Sequence, residues 1–511
     1  MLRHTLGRVV CGAALLAALL GSGSCAAPPQ RTRPNILWIV WDTVRADHLG
    51  LYGHTRDTTP FLDEWAAGAR VFDDALSAAG YTLPSHASMF TGLFPSEHCT
   101  HNGAPRLADD YVTIAELLDR AGYRTYAFSA NPHVSAAGNL VQGFGTVEHP
   151  WSAGLHTEAV AILREKLPEE DASSEFGERL RAFDRGELPL TAWHVKAAGK
   201  LAQGALLRWL EAAGDARPYF AFLNYMEAHR PYLPPRRYRE RMMAPDLVAR
   251  SYDVDRSWIP MWEYTFGLRE YDAEELELTR ATYDAAIAEL DDHLRELIGS
   301  LEQRGHLDDT IVIVTSDHGE HLGERHMLDH QYSLYQPLLR VPLVVRYPAA
   351  FAPGREPAPV MNLDLFPTLL ELTGVAPPPG PPSRAVSLLH PEAGRARLAE
   401  EPSSSELGVR MVLERHPGWD PTRWLRQLRS LVVGRDKLIR ASDGERELFD
   451  LAADPFEAND LEPERPQLAD SLEAVLERVH GSLRHCTPQR SADVPLTPEQ
   501  VELLRDLGYV R

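Results

Sequence analysis

The sequence predicts an α/β fold, with a large, mostly parallel sheet between layers of helices and a small C-terminal α+β subdomain. Over residues 34–375, short β-branched and apolar runs alternate with long amphipathic runs. This alternation is typical of strands joined by crossover helices. Proline-rich residues 376–386 indicate a linker. Residues 387–511 follow with shorter strand patterns and helix patterns, which predict a small antiparallel sheet with terminal helices.

Four apolar, β-branched stretches are predicted to be strands of the main sheet. They are NILWIVWD (35–42), YRTYAFSAN (123–131), YFAFLNYMEAH (219–229) and DDTIVIVTSDHGE (308–320). Amphipathic stretches predict helices over residues 110–121, 191–214 and 277–305, and in the subdomain over 467–480. Strands of the small sheet are predicted at 430–441 and 446–451. Residues 150–190 and 231–275 lack this regularity and are expected to form insertions or lids over a site.

The N-terminus has the pattern of a signal peptide. Arg3 and Arg8 precede the apolar run Val9–Leu20, which is too short for the ~20 apolar residues that a membrane-spanning helix needs. Residues 1–25 are therefore predicted to be a signal peptide and 26–33 a tether, with no transmembrane helix in the mature chain. The protein is expected to be exported to the periplasm or another space outside the cytoplasm.

The cysteines leave two questions open. Cys25 follows GSGS and resembles the lipidated cysteine of a bacterial lipoprotein signal, whereas Ser22 stands where that signal usually has an apolar residue. Lipid anchoring to a membrane and ordinary cleavage are both compatible with this pattern. Export would permit Cys99 and Cys486 to pair, but two free or buried thiols fit the sequence equally well.

Charge excludes one class of partner. Acidic residues outnumber basic ones, 73 against 52, which gives a formal net charge of −21. Such a chain is not expected to bind nucleic acid or a broad anionic surface. Its apolar share of 44% and charged share of 24% are ordinary for a globular protein.

Chemically active side chains follow three of the predicted strands. Asp42 ends the first, Asp317 and His318 end the fourth, and His229 ends the third. In parallel α/β sheets the ligand site lies beyond the carboxyl ends of the strands, so these residues are expected to meet. Two carboxylates, an imidazole and a hydroxyl suit Mn²⁺, Zn²⁺ or Mg²⁺, with Ca²⁺ less suited to the imidazole.

Thr82 supplies the hydroxyl. In AGYTLPSHASMFTG, Pro84 suits the first turn of a helix and Gly92 its end, which places Thr82 at or near the helix N-cap. A helix N-terminus favours a phosphate or sulfate group. A threonine hydroxyl is a weak nucleophile and needs a metal ion or a base to activate it. The sequence therefore predicts one divalent metal ion held by Asp42, Thr82, Asp317 and His318.

Six motifs follow one another along the chain: PNILWIVWDTVRADHLGLYG, TLPSHASMFTGLFPSEH, FLNYMEAHRPY, TSDHGEHLGERHMLDHQYSLYQPLLRVPLVV, NLDLFPTLLELTG and RELFDLAADPFEANDL. In this order they resemble the sulfatase family of the alkaline phosphatase superfamily. The resemblance implies the fold of that family and roles for individual residues. Asp42, Asp317 and His318 fall on metal ligands, and Thr82 falls on the nucleophile. Ser85 follows Thr82 as in the family motif and is expected to contact substrate.

The resemblance also implies roles for three histidines. His229 falls on a histidine that contacts the ester and is expected to act as general acid for the leaving oxygen. His330 lies where many members place a cation against the sulfate. His86 stands where the motif usually has arginine. His86 and His330 are both expected to neutralise the nonbridging oxygens of the ester.

Thr82 is the main departure from the family pattern, in which a cysteine or serine becomes formylglycine. Threonine cannot follow the known maturation route, so no formylglycine is expected. Thr43 replaces a second aspartate, and His318 an asparagine, so the shell resembles that of phosphoryl-transfer branches that use a plain threonine. A sulfated threonine lacks the aldehyde exit of formylglycine, whereas phospho-threonine can be released by in-line attack. The sequence thus favours phosphate esters or diesters over sulfate esters of a small molecule, glycan or lipid.

Two other functions remain open at this point. A transferase could move a phospho-head-group onto an envelope glycan or lipid, although such enzymes usually have several membrane-spanning helices. A non-catalytic binding protein could retain the fold after losing the aldehyde. The complete set of metal ligands is not expected of such a binding protein.

Overall fold

The structure is a computed structural model that describes residues 33–152, 154–166, 181, 194–214, 217–380, 383–403 and 406–487. The described residues from Pro34 onward form one compact unit. The predicted signal peptide and most of the predicted insertion 150–190 lie outside the described residues. Within the described residues, no helix combines the length and the apolar character needed to cross a membrane.

The strands are named in chain order. They are β1 (Asn35–Trp41), β2 (Arg70–Phe72), β3 (Ala75–Leu76), β4 (Arg124–Ser129), β5 (Thr146–Glu148), β6 (Tyr219–Tyr225), β7 (Thr310–Thr315), β8 (His321–Leu322), β9 (Leu328–Asp329), β10 (Arg340–Val341), β11 (Leu343–Arg346), β12 (Gly354–Glu356), β13 (Val360–Met361), β14 (Arg397–Glu401), β15 (Leu428–Val433), β16 (Asp436–Ala441) and β17 (Arg446–Asp450).

The α-helices are α1 (Pro60–Trp65), α2 (Thr82–Thr91), α3 (Pro95–His98), α4 (Ile114–Arg120), α5 (His156–Lys166), α6 (Ala198–Glu211), α7 (Arg236–Met242), α8 (Pro245–Ser251), α9 (Trp258–Thr265), α10 (Ala273–Gln303), α11 (Gln336–Leu339), α12 (Leu365–Thr373), α13 (Glu406–Arg415) and α14 (Pro466–Gly481).

The main sheet has the order β12-β2-β11-β7-β1-β6-β4-β5 among the described residues. The pairs β1–β6, β1–β7, β4–β6 and β4–β5 are parallel, and β11 runs antiparallel to both of its neighbours. The sheet is therefore mostly parallel, as predicted. Two large apolar clusters pack on its opposite faces, because alternate residues of β1 such as Leu37 and Trp38 belong to different clusters.

Helix starts differ from the sequence expectation where a polar side chain caps the helix. The predicted helix 110–121 begins only at Ile114, because the Thr113 hydroxyl accepts a hydrogen bond from the backbone N–H of Glu116 and sets the N-cap. Helix α10 begins at Ala273, four residues before the predicted start, because Asp272 caps it in the same way. Residues 231–275, predicted to be irregular, contain the helices α7, α8 and α9.

The predicted C-terminal elements are present as the sheet β14-β15-β16-β17 and the helix α14. One apolar cluster joins this sheet to the main part of the chain, since Leu431 and Leu438 of the sheet share it with Phe94 and Met361. The two parts are also linked covalently: Cys99 and Cys486 form a disulfide with a Cα–Cα distance of 5.8 Å. The pairing that the sequence left open is therefore present.

Removing the disulfide is expected to destabilise the fold. The bond joins residues 387 positions apart, so it restricts a very long loop in the unfolded chain. The double variant Cys99→Ser with Cys486→Ser should lose about 2–5 kcal/mol of stability. Chemical denaturation of the oxidised wild type and of the variant measures this loss. Equal midpoints would show that the bond adds nothing to stability.

His98 is expected to make the fold sensitive to mild acid. Its Nδ1 accepts a hydrogen bond from the Thr100 backbone N–H at 3.0 Å, and its Nε2 lies 3.0 Å from the Ser88 hydroxyl. Burial lowers the pKa of His98 from 6.5 to about 3. The unfolded chain therefore takes up a proton below pH 6.5 that the folded chain does not. The contribution to stability is complete above pH 6.5 and is lost as the pH falls toward 3.

The variant His98→Asn isolates this effect. The asparagine side-chain oxygen can accept the hydrogen bond from the Thr100 backbone N–H. The asparagine does not titrate between pH 3 and 6.5, the pKa values of His98 in the folded and unfolded chain. Between pH 6.5 and 4, the free energy of unfolding should fall less steeply with decreasing pH in the variant than in the wild type. The difference in slope should reach up to about 1.4 kcal/mol per pH unit. Parallel pH dependences for the two proteins would contradict this assignment.

Candidate active site

The central strands bring the predicted residues to one edge of the sheet. Strand β1 pairs in parallel with β7 on one side and β6 on the other, so their carboxyl ends coincide. Asp42 follows β1 directly, and Asp317 and His318 follow β7. His229 follows β6 by four residues. The edge of the sheet predicted to hold a ligand is thus where these residues lie.

Asp42, Asp317 and His318 form a compact, fully buried trio. One potential ligand atom from each lies within 4.8 Å of the others, and each residue has 0% exposure. Asp42 Oδ2 accepts hydrogen bonds from Asn131 Nδ2 at 2.9 Å and Asn224 Nδ2 at 3.0 Å. Its other oxygen, Oδ1, has no hydrogen-bond partner among the described residues.

Asp317 is held in the same manner. Its Oδ1 accepts from the backbone N–H of Thr43 at 3.2 Å and of His318 at 2.9 Å, while Oδ2 has no hydrogen-bond partner among the described residues. His318 Nδ1 lies 2.9 Å from the Gly319 carbonyl oxygen, which can only accept, so Nδ1 is the protonated nitrogen of the neutral ring. His318 Nε2 is left with its lone pair. Two carboxylate oxygens and one imidazole nitrogen are therefore available as ligands.

The electrostatics of the trio show what burial does to like charges. Burial, and then the charge of Asp317, raise the pKa of Asp42 to about 7. Burial likewise raises the pKa of Asp317 and lowers that of His318 to about 3. Each of these shifts disfavours the charged form of the group, and a cation bound between the oxygens would oppose the shifts of both carboxylates. The donor set therefore fits the divalent metal ion predicted from the sequence.

Thr82 is the first residue of α2, and the N-cap is Tyr81, the residue before it. The Thr82 Oγ1 atom lies 3.3 Å from His318 Nε2 and 3.4 Å from Asn131 Nδ2. The side chain is fully buried. Thr82 thus lies beside the trio at the N-terminus of a helix, where backbone N–H groups favour an anion.

His330 lies next to His318, between two carboxylates. Its Nδ1 is 3.1 Å from Glu320 Oε1 and 3.0 Å from Asp329 Oδ1. Its ring centroid is 4.8 Å from that of His318 and 5.0 Å from that of His229. The charges of Asp329 and Glu320 outweigh burial and raise the pKa of His330 to about 10. His330 Nε2 has no hydrogen-bond partner among the described residues.

His229 has a different proton arrangement. Its Nδ1 lies 2.6 Å from the Arg230 carbonyl oxygen, so Nδ1 bears the hydrogen and Nε2 of the neutral ring can only accept. Burial, followed by the nearby His330 and Lys196, lowers the pKa of His229 well below its usual value. The Lys196 ammonium donates to the His229 carbonyl oxygen at 2.6 Å and fixes this segment. The free protein thus holds His229 neutral.

Two predicted substrate contacts have other neighbours. The Ser85 hydroxyl donates to the Asp317 carbonyl oxygen at 2.7 Å and accepts from Asn362 Nδ2 at 3.0 Å. His86 Nδ1 lies 3.0 Å from the Thr82 carbonyl oxygen and 3.4 Å from Asp317 Oδ2. The His86 ring packs against aromatic side chains, and burial lowers its pKa. Both side chains of α2 therefore contact Asp317.

The sequence reasoning missed the residues that hold the centre in place. They are Asn131, Asn224, Glu320, Asp329 and Asn362. Asn131 ends the predicted strand 123–131, and Asn224 lies within the predicted strand 219–229, one residue before the end of β6. Their place near strand ends was the one signal that could have identified them. Asp329 directly precedes His330, whereas Glu320 lies ten residues earlier, and only folding brings its carboxylate to the same ring.

Comparison with known proteins identifies the family. The sequence profile described as sulfatase matches residues 34–375. Arylsulfatase K of Bos taurus is 26% identical over 506 residues, which cover 92% of this chain and 86% of the relative. The chain therefore belongs to the sulfatase family. As a family member it is an ester hydrolase by descent, with the substrate left open.

Solved structures agree on the fold. Phosphonate monoester hydrolase of Agrobacterium radiobacter superposes with a TM-score of 0.66 at 23% identity, covering 88% of this chain and 96% of that chain. A protein solved with its substrate D-glucosamine-2-N,6-O-disulfate also gives 0.66, at 20% identity, with 90% of this chain and all of that chain covered (100%). At this level of identity the two neighbours establish the shared α/β fold and nothing about the substrate.

Proposed function

We propose that this protein is an exported, metal-dependent hydrolase of phosphate esters in which Thr82 is the nucleophile. The observation that supports it best is the position of Thr82 Oγ1, 3.3 Å from His318 Nε2, beside two buried carboxylates that each keep one oxygen without a partner among the described residues. A hydroxyl at that position can attack the phosphorus of an ester seated at the helix N-terminus.

Asp42, Asp317, His318 and Thr82 would hold the metal ion, for which Mn²⁺, Zn²⁺ or Mg²⁺ suits the mixed oxygen and nitrogen donors, with Ca²⁺ less suited. When bound, a divalent cation neutralises charge on the ester and lowers the pKa of a coordinated hydroxyl. Asn131 donates to both Asp42 and Thr82, so it fixes the carboxylate and the nucleophile relative to each other. Ser85 and His86 are reassigned to positioning Asp317, in place of contacting the ester.

The Thr82 hydroxyl loses its proton to solvent, and its oxygen forms a bond to phosphorus while the bond from phosphorus to the leaving oxygen breaks and that oxygen takes up a proton. Water then attacks the phosphorus of phospho-threonine, the bond from phosphorus to Thr82 Oγ1 breaks, and the Thr82 hydroxyl is regenerated. The product is inorganic phosphate from a monoester and a phosphate monoester from a diester. His330, held between Glu320 and Asp329, binds the nonbridging oxygens as a cation. No aldehyde takes part, because threonine offers no route to formylglycine.

The dependence of rate on the leaving group should separate the role of His229 at the leaving oxygen from that of His330 at the nonbridging oxygens. His229 was expected to be the acid, yet in the free protein the neutral ring presents Nε2 as an acceptor. If His229 donates the proton only once substrate is bound, His229→Asn should slow esters of poorly acidic alcohols by ~10²-fold or more and activated aryl esters little. His330→Gln should slow both classes, because it removes charge from the ester oxygens. Equal losses for both classes in His229→Asn would remove His229 as the acid.

The choice of phosphate over sulfate follows from the exit step. A sulfated threonine has no adjacent hydroxyl whose collapse could expel sulfate, so water would have to attack the sulfate ester directly. A phosphorylated threonine has the in-line route used in phosphoryl transfer. Aryl phosphate, diaryl phosphate and aryl sulfate, assayed side by side with each metal ion, test this choice. We expect turnover of a phosphate ester; turnover of sulfate alone would reverse the assignment.

A phospho-head-group transferase is the second candidate. The same assay with added alcohols measures it, since a transferase gives phosphorylated alcohol in place of inorganic phosphate. The third candidate is a non-catalytic binding protein. It predicts no turnover of any ester, with or without added metal ion. The intact set of donor atoms around Thr82 favours catalysis over binding alone.

Export is also a proposal, supported by the Cys99–Cys486 disulfide, since such bonds persist in oxidising compartments. Cell fractionation of the full chain and of Cys25→Ala tests the anchor. A lipid on Cys25 predicts a wild type in the membrane fraction and a variant released from it. An ester on a glycan or lipid outside the cytoplasm would be in reach of either form.

A further inference from the structure

Arg230 is a buried cation whose pairing is incomplete. It is 1% exposed, and its Nη2 donates to Asp329 Oδ2 at 2.8 Å. Its Nε and Nη1 atoms have no hydrogen-bond partner among the described residues. The guanidinium carbon lies 3.1 Å from the ring centroid of Trp258, so the plane of the group is held by the indole face.

Such a group calls for an anion. Arginine stays protonated in proteins and offers N–H groups on three nitrogens, and a buried charge without matching partners is strongly destabilising. Asp329 supplies only part of what is needed, because its carboxylate is shared. Its Oδ2 also accepts from Trp262 Nε1 at 2.8 Å, and its Oδ1 faces His330 Nδ1 at 3.0 Å. Charge and hydrogen-bonding capacity therefore remain on Arg230.

The neighbours of Arg230 form a polar wall beside the catalytic centre. Asp329 joins Arg230 to His330, the cation assigned to the ester oxygens. The Tyr232 hydroxyl and Glu320 Oε2 are likewise buried without hydrogen-bond partners among the described residues. Glu320, Asp329 and Arg230 all influence the pKa of Tyr232, which burial raises well above its usual value. Unsatisfied donors and acceptors thus gather on the His330 side of the centre.

We infer that Arg230 binds a second acidic group on the organic part of the substrate, a carboxylate, phosphate or sulfate separate from the ester that is cleaved. The inference rests on the proposed function and narrows its substrate class to esters with two anionic groups. Tyr232 provides a further hydroxyl beside that group. An ester without the second acidic group would leave the Nε and Nη1 donors of Arg230 unpaired, so the site discriminates between substrates with one and with two anionic groups.

Binding rather than turnover tests the inference. The ligands are the three isomers of carboxyphenyl phosphate, each matched with its uncharged carbamoylphenyl counterpart. They are titrated by calorimetry into the metal-loaded Thr82→Ala full chain, which cannot consume them if Thr82 is the nucleophile. At least one carboxylate isomer should bind about 10-fold or more tightly than its counterpart, as expected for a charge-assisted hydrogen bond.

Arg230→Gln in the same background should bring that ratio close to one. Arg230→Lys keeps the charge without the planar group and should retain part of the preference. Arg239→Gln is the matched control, because Arg239 is equally buried (1% exposed) but bonds to Ser251, and the ratio should persist. If Arg230→Gln does not fold, the affinity ratio of the carboxylate ligand to its uncharged counterpart in Arg230→Lys decides. A ratio below that of the Thr82→Ala background supports the inference, and an unchanged ratio contradicts it.

Two results would overturn the inference. One is equal binding of every carboxylate and its uncharged counterpart, including no binding by either. The other is an equal loss for both ligands in Arg230→Gln, which would mean that Arg230 only positions His330 through Asp329. Because no turnover is needed, failure of the wild type to hydrolyse phosphate esters would overturn the proposed function and leave this result intact.

Discussion

Replacing Thr82 with alanine is expected to lower kcat for a phosphate ester by about 10³-fold or more. The side chain is fully buried at the start of α2, so the change removes the oxygen that we propose as the nucleophile and leaves a small cavity. KM should change far less, because the proposed ester contacts of His330 and the helix N-terminus are kept. Steady-state kinetics with an aryl phosphate under saturating metal measure both constants.

Thr82→Ser is the matched control, since it keeps the hydroxyl and removes only the methyl group. It should retain activity within about 10-fold of the wild type, because the nucleophile is preserved. Thermal melts of all three proteins exclude misfolding as the cause of a loss. Wild-type activity in Thr82→Ala would show that another group attacks the ester.

Replacing Asp317 with asparagine should abolish metal-dependent activity, with a loss of more than about 10²-fold. The variant keeps the shape of the side chain but removes the negative charge of the oxygen that lacks a partner. Its stability should respond in the opposite sense to its activity. Without metal, Asp42 and Asp317 repel each other within 4.8 Å, so the asparagine variant should melt at or above the wild-type temperature.

Added metal provides the second readout. The wild type should gain about 2.7 kcal/mol of stability at a metal concentration of 100 times Kd, and Asp317→Asn should gain little. Chelation of the wild type should reverse both its activity and this stabilisation. A variant that still gains stability from metal would place the ion elsewhere than the Asp42, Asp317 and His318 trio.

Several residues of the candidate site could be placed from the sequence because they follow parallel strands. Asp42 and Asp317 follow apolar strands directly, and parallel strands end at one edge of the sheet. Thr82 was placed within one residue of the observed N-cap by the proline and glycine around the helix. These predictions depend on residues close together in the sequence, so they do not require knowledge of the tertiary packing.

The remaining parts of the site depend on packing that one sequence does not encode visibly. Ser85 and His86 belong to the same helix as Thr82, but the 3.6-residue turn directs them toward the Asp317 segment. Asn131 and Asn224 are amides near strand ends, where amides are common, so their position alone does not single them out before both are seen to donate to Asp42.

Helix α4 contributes no residue to the candidate site, but its start also differed from the prediction. It begins later than predicted because the capping box at Thr113 sets the first turn of the helix.

The proposed function depends on transfer of the phosphoryl group to Thr82. Rapid quenching of the metal-loaded enzyme during turnover of a ³²P-labelled phosphate ester, followed by peptide mapping, detects this transfer. We expect acid-stable label on the peptide that contains Thr82, and no label in Thr82→Ala. Label on a different residue, or label that persists in the Thr82→Ala protein, would contradict it.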